Sequence, residues 1–531
     1  MTMKNIHINT AALSSTAAAV LCIFLAAVVL SGCVEALRDN PYDPKSDDYR
    51  IGIVTQDPAN ETLIIGDQTI TIQFSDSMDT DTLVLGGDLG GASSSWSTTE
   101  KLNDTLELSP SGTIWPSEGP AKSLSIVCDS VNGISTGTIV QQYEVFYGVF
   151  VSENGDDLDP GTISEPKKTV QAGIDKADGL YTIGEVRVAG GEYKSDYQGT
   201  TDPVADMAEG ISLYGGYSAD FSNHDPDVYT TVLQDTSSAD SGPNRAVNIG
   251  SGVTNSTIIT GFVIIAGVGG ENASIVNVGN PTIAENLIQG LSAGFGGLTY
   301  GIYSSGGNPV IEKNIISQIY AGMVATCLYL ENSTAEVRNN IILPGTSAGI
   351  TRGIHDRINS DSHIYNNIID CGLGNASDGG RCLYVEVSNP AVVNNIFTNQ
   401  RGNSTVCAIY EVDADSDPAE VSNNNFFDVY DSNTMYHDGD GDGDLLNVSA
   451  METDLDAEGI TATGNLNNIN PEFESPPSDF HLTSSTPASI RAGGIDGGPA
   501  GDNWGFSDDL DGNDRTGNGT DGWSIGPYEY D

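Results

Sequence analysis

An apolar residue, two variable positions, an asparagine and more apolar residues recur through the middle of this chain. The unit appears in "NPTIAENLIQ" from Asn280, "NPVIEKNIIS" from Asn308 and "NPAVVNNIFT" from Asn389. Aligned on the asparagine, the anchors are Asn286, Asn314, Asn340, Asn367, Asn395 and Asn424, spaced 28, 26, 27, 28 and 29 apart along the chain. Such a period signals stacked supersecondary units, each burying its apolar face against the next. A unit of this length is too short for four propeller strands, lacks leucine-rich spacing and has no helical periodicity. It suits one coil of a parallel solenoid, with two or three short strands separated by turns. An earlier unit, "IITGFVI", places Gly261 at the asparagine position, one period ahead of Asn286.

Asparagine suits a coil corner on two counts. It tolerates the left-handed backbone better than most residues. Its amide both donates and accepts, so stacked copies can bond from coil to coil. The six anchors are therefore expected to be architectural. The 63 glycines point away from long helices.

A second column runs through the repeats. "YGIYSSG", "TCLYLEN", "RGIHDRI", "RCLYVEV" and "VCAIYEV" align Tyr303, Tyr329, His355, Tyr384 and Tyr410, the last with one residue of slack. With the preceding apolar residues inward, alternation turns these rings outward. Outward rings offer an apolar face and a hydroxyl to a sugar, or simply shield the strands. Arg352 and Arg381 fall in register beside them and need an anion, which Asp356, Asp378 or a ligand carboxylate would supply. Cys327, Cys382 and Cys407 share the frame. Cys382–Cys407 and Cys371–Cys382 are both candidate disulfides, and the odd number of cysteines after Cys33 leaves at least one thiol unpaired within the chain.

The stretch from Met1 to Cys33 reads as a targeting segment. Lys4 precedes an apolar run from Ala17 to Leu30, ending in Leu30-Ser31-Gly32-Cys33. This resembles the lipobox of bacterial lipoproteins, which implies cleavage before Cys33 and acyl chains on it. The implied location is the bacterial envelope, at the outer membrane or cell surface. Residues 34–50 read as a tether. Residues 51–146 alternate as short strands, as at Ile70, Ile72 and Phe74. They suggest a β-sandwich, and "ITIQFSDSMDTDTL" resembles a bacterial Ig-like module. From residue 147, "YGVFVSENGDDLDPGTISEPKKTVQAGIDKA" resembles the entry of pectate-lyase-like right-handed parallel β-helix proteins, with a capping helix over Val170, Ile174 and Ala177. The C-terminal "DFHLTSSTPASIRAGG" and "DDLDGNDRTGNGTDGWSIGPYEYD" resemble the closing segment of such solenoids. The expected fold is thus all-β: an N-terminal Ig-like β-sandwich, then a right-handed parallel β-helix over residues 147–531.

The chain carries 20 basic and 73 acidic side chains, a net charge of −53. Such a surface repels polyanions, which argues against nucleic acid as a partner. "HDGDGDGDLL" sets Asp438, Asp440, Asp442 and Asp444 on a glycine-rich loop suited to Ca²⁺. It resembles the start of an EF-hand loop but has Ser449 at the twelfth position, where the bidentate acid would be. Lyases of the resembled superfamily use a basic residue, often beside calcium-binding aspartates, and no such motif matches here. The expected function is a membrane-anchored binding or structural module for glycan or another envelope component. The alternatives are a polysaccharide lyase or glycoside hydrolase, and a passive coat element.

Overall fold

The computed structural model describes residues 49–195, 202–236, 244–290, 297–373, 379–399, 406–429, 434–441, 443–495, 507–515 and 523–530. The signal and lipobox with Cys33, the tether to residue 48, Asp378 and Asp442 lie outside these. The fold is all-β, with 6% helix and 47% strand. The chain divides into two compact units at Phe146/Tyr147.

The first unit holds two four-stranded sheets. One orders Ile53–Asp57, Ile70–Phe74, Thr105–Ser109 and Ser93–Ser97; the other orders Thr62–Ile65, Ile139–Phe146, Gly119–Ser130 and Met78–Gly86. Ile70, Ile72 and Phe74 are all buried, as their alternation requires. Gln56 of one sheet donates to the Tyr143 hydroxyl of the other at 2.7 Å.

The second unit is a right-handed-type β-solenoid of about eight turns. Three parallel stacks of eleven, ten and ten strands form its faces, although the last pair of the third stack is antiparallel. One coil shows the pattern. Val310–Glu312 lies on the first face, Ile315–Ser317 on the second and Val324–Glu331 on the third. Ile311, Ile316 and Leu328 point inward and are fully buried. The same levels on the next coil are Val337, Ile342 and Ile354. Each coil thus buries its apolar residues on the one below, roughly 4.8 Å away.

Both ends are covered by helices. Helix α1, Val170–Leu180, packs on the first strands. Its Thr169 side chain caps the Ala172 amide, and Val170, Ile174 and Ala177 are buried with Gly173. Gly173 permits the close approach, since a Cβ there would meet Val151 at 2.5 Å. Helix α2, Val448–Glu458, follows the acidic loop near the other end, with Met451 and Leu455 buried. The sequence reading had no helix there, because α2 shows only weak amphipathic spacing.

The asparagines sit at the corner between the first and second faces, all buried. The Oδ1 of Asn314 accepts from both the backbone amide and the side-chain amide of Asn286, at 3.1 and 3.2 Å. The pattern repeats through Asn340, Asn367, Asn395 and Asn424 to a seventh rung, Asn465. Each Nδ2 also reaches a carbonyl of the coil before, as Asn367 does to Val337. The left-handed residue is not the rung, as expected above, but the one preceding it: Glu285, Lys313, Asn339, Asn366, Asn394 and Asn423 have φ of 53–58°. Gly261 occupies that preceding position, at φ 81°, so the rung of its coil is Phe262, whose amide donates to Asn286. The earlier alignment of Gly261 was one residue out.

The left-handed asparagines explain the Asn-Asn doublets. Their side chains turn outward and hold the C-terminal segment. Asn339 donates to the Asp508 carbonyl, Asn366 to those of Ser524 and Gly526, Asn394 to Ile495 and Asn423 to Gly493. Apolar contacts flank this strip. Phe480, Ile490, Ile525 and Tyr528 cluster with Ile341, Ile368 and Ile396 on the second face, and Trp523 with Tyr365 and Val393 on the first. The buried Arg515 pairs with Glu529 of the terminal Gly-x-x-Glu at 3.3 Å and bonds Asn339. The closing segment is a strap along one corner of the solenoid.

Candidate functional site

The outward side of the third face carries the aromatic column. Tyr303, Tyr329, His355, Tyr384 and Tyr410 pair in strict register on successive strands, and His437 adds a sixth member. The slack before Tyr410 falls elsewhere: Cys407 stands at the level of Arg381, not of Cys382. The disulfide is Cys371–Cys382, and Cys128, Cys327 and Cys407 are buried outside it. Cys382–Cys407 is therefore not the pair.

The rings stand on each other instead of lying open. Tyr303 and Tyr329 stack at 4.9 Å with planes 6° apart, as do Tyr384 and Tyr410 at 5.3 Å. His437 continues the second stack at 4.2 Å. His355 stands nearly perpendicular between the two stacks, 4.9 Å from Tyr329 and from Tyr384. Within each stack the facing π-surfaces are taken by neighbours, so sugar rings cannot enter between the tyrosines. What remains for a ligand is ring edge and hydroxyl. Tyr329 and His355 are buried, and Tyr303, Tyr384 and Tyr410 half-buried.

A charged network crosses this column. Arg352 donates to His355 Nδ1 at 3.1 Å, and its guanidinium lies 4.0 Å over the Tyr384 ring. Arginine cannot accept, so Nδ1 must, which puts the ring proton on Nε2. That nitrogen faces Glu386 Oε2 at 3.0 Å. Burial lowers His355 to about 4, so the imidazole is neutral near pH 7. Its hydrogen bond to Glu386 holds that carboxyl down at about 2. Arg357 reaches the Tyr329 hydroxyl at 2.8 Å, Glu331 at 3.2 Å and Glu386 at 3.1 Å. Both nitrogens of His355 are committed, which leaves it no lone pair for taking a substrate proton.

Arg381 sits beside Arg352 in register, with its guanidinium 4.8 Å over Tyr410. Asp356, one expected counter-ion, instead points inward. It is fully buried and accepts from Ser388, and burial raises its carboxyl to about 7. The arginines stack on tyrosines instead.

The acidic loop lies past the column's end, and only part of the expected set converges. Asp438 is buried and accepts from the Asp440 and Gly441 amides. Asp444 turns to His437 at 2.8 Å. Carboxylate oxygens of Asp417, Asp440 and Glu458 come within 4.8 Å of one another, as do those of Asp438, Asp454 and Glu458. Asp454 and Glu458 arrive on α2, and Asp417 lies a coil earlier in the chain. Spacing along a single loop could not have revealed them. Oxygen ligands of this kind suit Ca²⁺. Nearby, burial raises Glu411 to about 8, and the Tyr436 hydroxyl donates to it.

No protein-family model matches this chain, and neither does any curated protein. Among solved structures it is similar to the LD transpeptidase LdtMt1 in complex with imipenem, at 13% identity over 19% of this chain and 43% of that one, with a TM-score of 0.14. It thus spans less than half of the transpeptidase. A second is XylC in complex with xylose, at 12% identity over 55% and 67%, with a TM-score of 0.34. A third is a family 28 exopolygalacturonase from Yersinia enterocolitica, at 10% identity over 72% and 89%, with a TM-score of 0.25.

Proposed function

We propose that this is a lipid-anchored protein of a bacterial envelope whose third solenoid face binds a glycan or another envelope polymer. The lipobox ending at Cys33 supports the anchor. In this reading the N-terminal sheets are an Ig-like module between anchor and solenoid in the chain, and the acidic cluster takes Ca²⁺. The observation that carries the binding function is the in-register column from Tyr303 to His437. It repeats one polar-edged ring per coil, every ~4.8 Å. A polymer of pyranose units lying along the axis has a similar repeat, so each unit meets the same chemistry. Binding, not turnover, is favoured because His355 is engaged at both nitrogens.

Two experiments test this reading. The full-length protein is assayed on immobilised glycans beside a variant with Tyr303, Tyr384 and Tyr410 replaced by Phe. Loss of three hydroxyls, each worth ~1 kcal/mol, should weaken binding roughly tenfold or more. Unchanged binding would remove the column from the function. Labelled palmitate should enter the protein and be lost from C33A. Equal labelling of C33A would overturn the anchor.

A further inference from the structure

We infer that Arg352 and Arg381 together read an anionic group, a carboxylate or a sulfate ester, on an otherwise neutral glycan. The inference rests on the glycan reading above and adds the chemical class.

The two arginines occupy adjacent strands in direct register, so their backbones lie roughly 4.8 Å apart. Their recorded hydrogen bonds go to neutral acceptors: Arg352 to His355 Nδ1, and Arg381 to the Gly380 carbonyl. Among the described residues, neither has a carboxylate within ion-pair distance. Four other arginines of the second unit do pair with carboxylates, while Arg491 lies over the Tyr530 ring. Arg187 pairs with Glu185, Arg338 with Glu312 and Glu336, Arg357 with Glu331 and Glu386, and Arg515 with Glu529. In a chain with 73 acidic and 20 basic side chains, two neighbouring guanidiniums without a directly paired carboxylate are conspicuous, Glu386 acting on Arg352 only from beyond His355. Asp356, which the sequence places nearby, is on the inner side of the strand.

Each guanidinium lies over a tyrosine, at 4.0 and 4.8 Å. Stacking engages the planar face; with Nη1 of Arg352 on His355 and its Nε buried, in-plane donation to a ligand falls to Nη2 of Arg352 and to the edge of Arg381. These donors, one coil apart, match the two oxygens of a carboxylate or sulfate. The rest of the face limits how much negative charge it tolerates. Glu331 and Glu386 share it, and the net charge of −53 opposes a dense polyanion. A sparse charge on a hydroxyl-rich polymer satisfies both conditions.

The test is calorimetric titration of the full-length protein in detergent with paired probes. Hyaluronan oligosaccharide is compared with its carboxyl-reduced form, and keratan sulfate oligosaccharide with its desulfated form. One charged probe should bind at least about tenfold tighter than its neutralised partner, a difference of ~1.4 kcal/mol. The pair that shows the preference separates carboxylate from sulfate. R381Q should erase the preference, and R381K should restore part of it. Equal affinity for charged and neutralised probes, or a preference that survives R381Q, overturns the inference and leaves the glycan reading standing. If no probe binds the wild type, both fall. The wild-type comparison needs no variant to fold.

Discussion

Glu452 on helix α2 ends the asparagine ladder. Its Oε1 accepts the backbone and side-chain amides of Asn465, both at 3.1 Å, just as each rung's Oδ1 does for the rung before. A ladder of this polarity always leaves two donors on its last member. Asn465 is half-buried, so donors left there without an acceptor cost less than the roughly 1–3 kcal/mol of fully buried ones. Glu452 thus connects the capping helix to the chemistry of the whole corner.

Glu452→Ala should therefore destabilise the protein by about 1 kcal/mol. Glu452→Gln keeps the acceptor and should lose much less. Thermal melting of both variants checks this. Equal melting temperatures for Ala and Gln would show that the oxygen is dispensable.

An interior rung has more to lose. Asn367→Ala deprives Asn340 of its acceptor and leaves the Val337 and Tyr365 carbonyls without their donor. The expected cost exceeds that of Glu452→Ala, because five bonds in a fully buried site go together. Asn366→Ala, one residue earlier, should instead loosen the strap at Ser524 and Gly526, with a smaller added cost from Ala at a left-handed φ of 53° and the lost bond from Asn394. Hydrogen exchange separates the two. Asn366→Ala should speed exchange of strap amides such as that of Ile525, while the coil amides stay protected. Faster exchange throughout the coils would contradict the assignment of the outward asparagine to the strap.

These contrasts bear on what the sequence makes legible. The rungs were readable because an interior rung accepts from the rung before it and donates onward, so one residue type recurs at the spacing of a coil. Asn465 was hidden because a long insertion, including α2, separates it from Asn424. The outward doublet partners looked like part of the rung motif. Their role depends on a segment 70 to 169 residues away, a distance that no local pattern encodes. At Cys407 the strand register is unbroken; Cys407 stands three residues before Tyr410 while Cys382 stands two before Tyr384, so only the cysteines fall out of line. The tyrosine register was legible, but not that the rings would stack on each other. The inward turn of Asp356 follows from the same strand alternation that sends His355 outward.

Calcium should stabilise the acidic end. Asp417, Asp438, Asp440, Asp454 and Glu458 contribute to the two carboxylate groupings, and their mutual repulsion is relieved by a divalent ion. Millimolar Ca²⁺ should raise the melting temperature of chelator-treated protein, with a gain given by RT ln(1 + [L]/Kd). Glu458→Gln should reduce that gain without lowering the melting temperature in chelator. A melting temperature that ignores both calcium and chelator would remove the ion from the account.

The buried Asp356 predicts a pH dependence of the opposite sign from ordinary acid denaturation. Its carboxyl titrates at about 7 in the folded protein against 3.8 when exposed, chiefly through burial. The folded state thus holds the proton more tightly than the unfolded state. The associated stability is fully present below about pH 3.8 and is lost as pH rises through 7. Over that window the loss is on the order of 4 kcal/mol. Asp356→Asn keeps an oxygen for Ser388 and removes the charge. It should therefore melt higher than the wild type at pH 8, by a gap that narrows as the pH falls toward 4. Melting curves from pH 5 to 9 decide the matter. A wild-type melting temperature that climbs through neutrality, with the Asn variant parallel to it, would mean that Asp356 is ionised and stabilised by partners inside the solenoid.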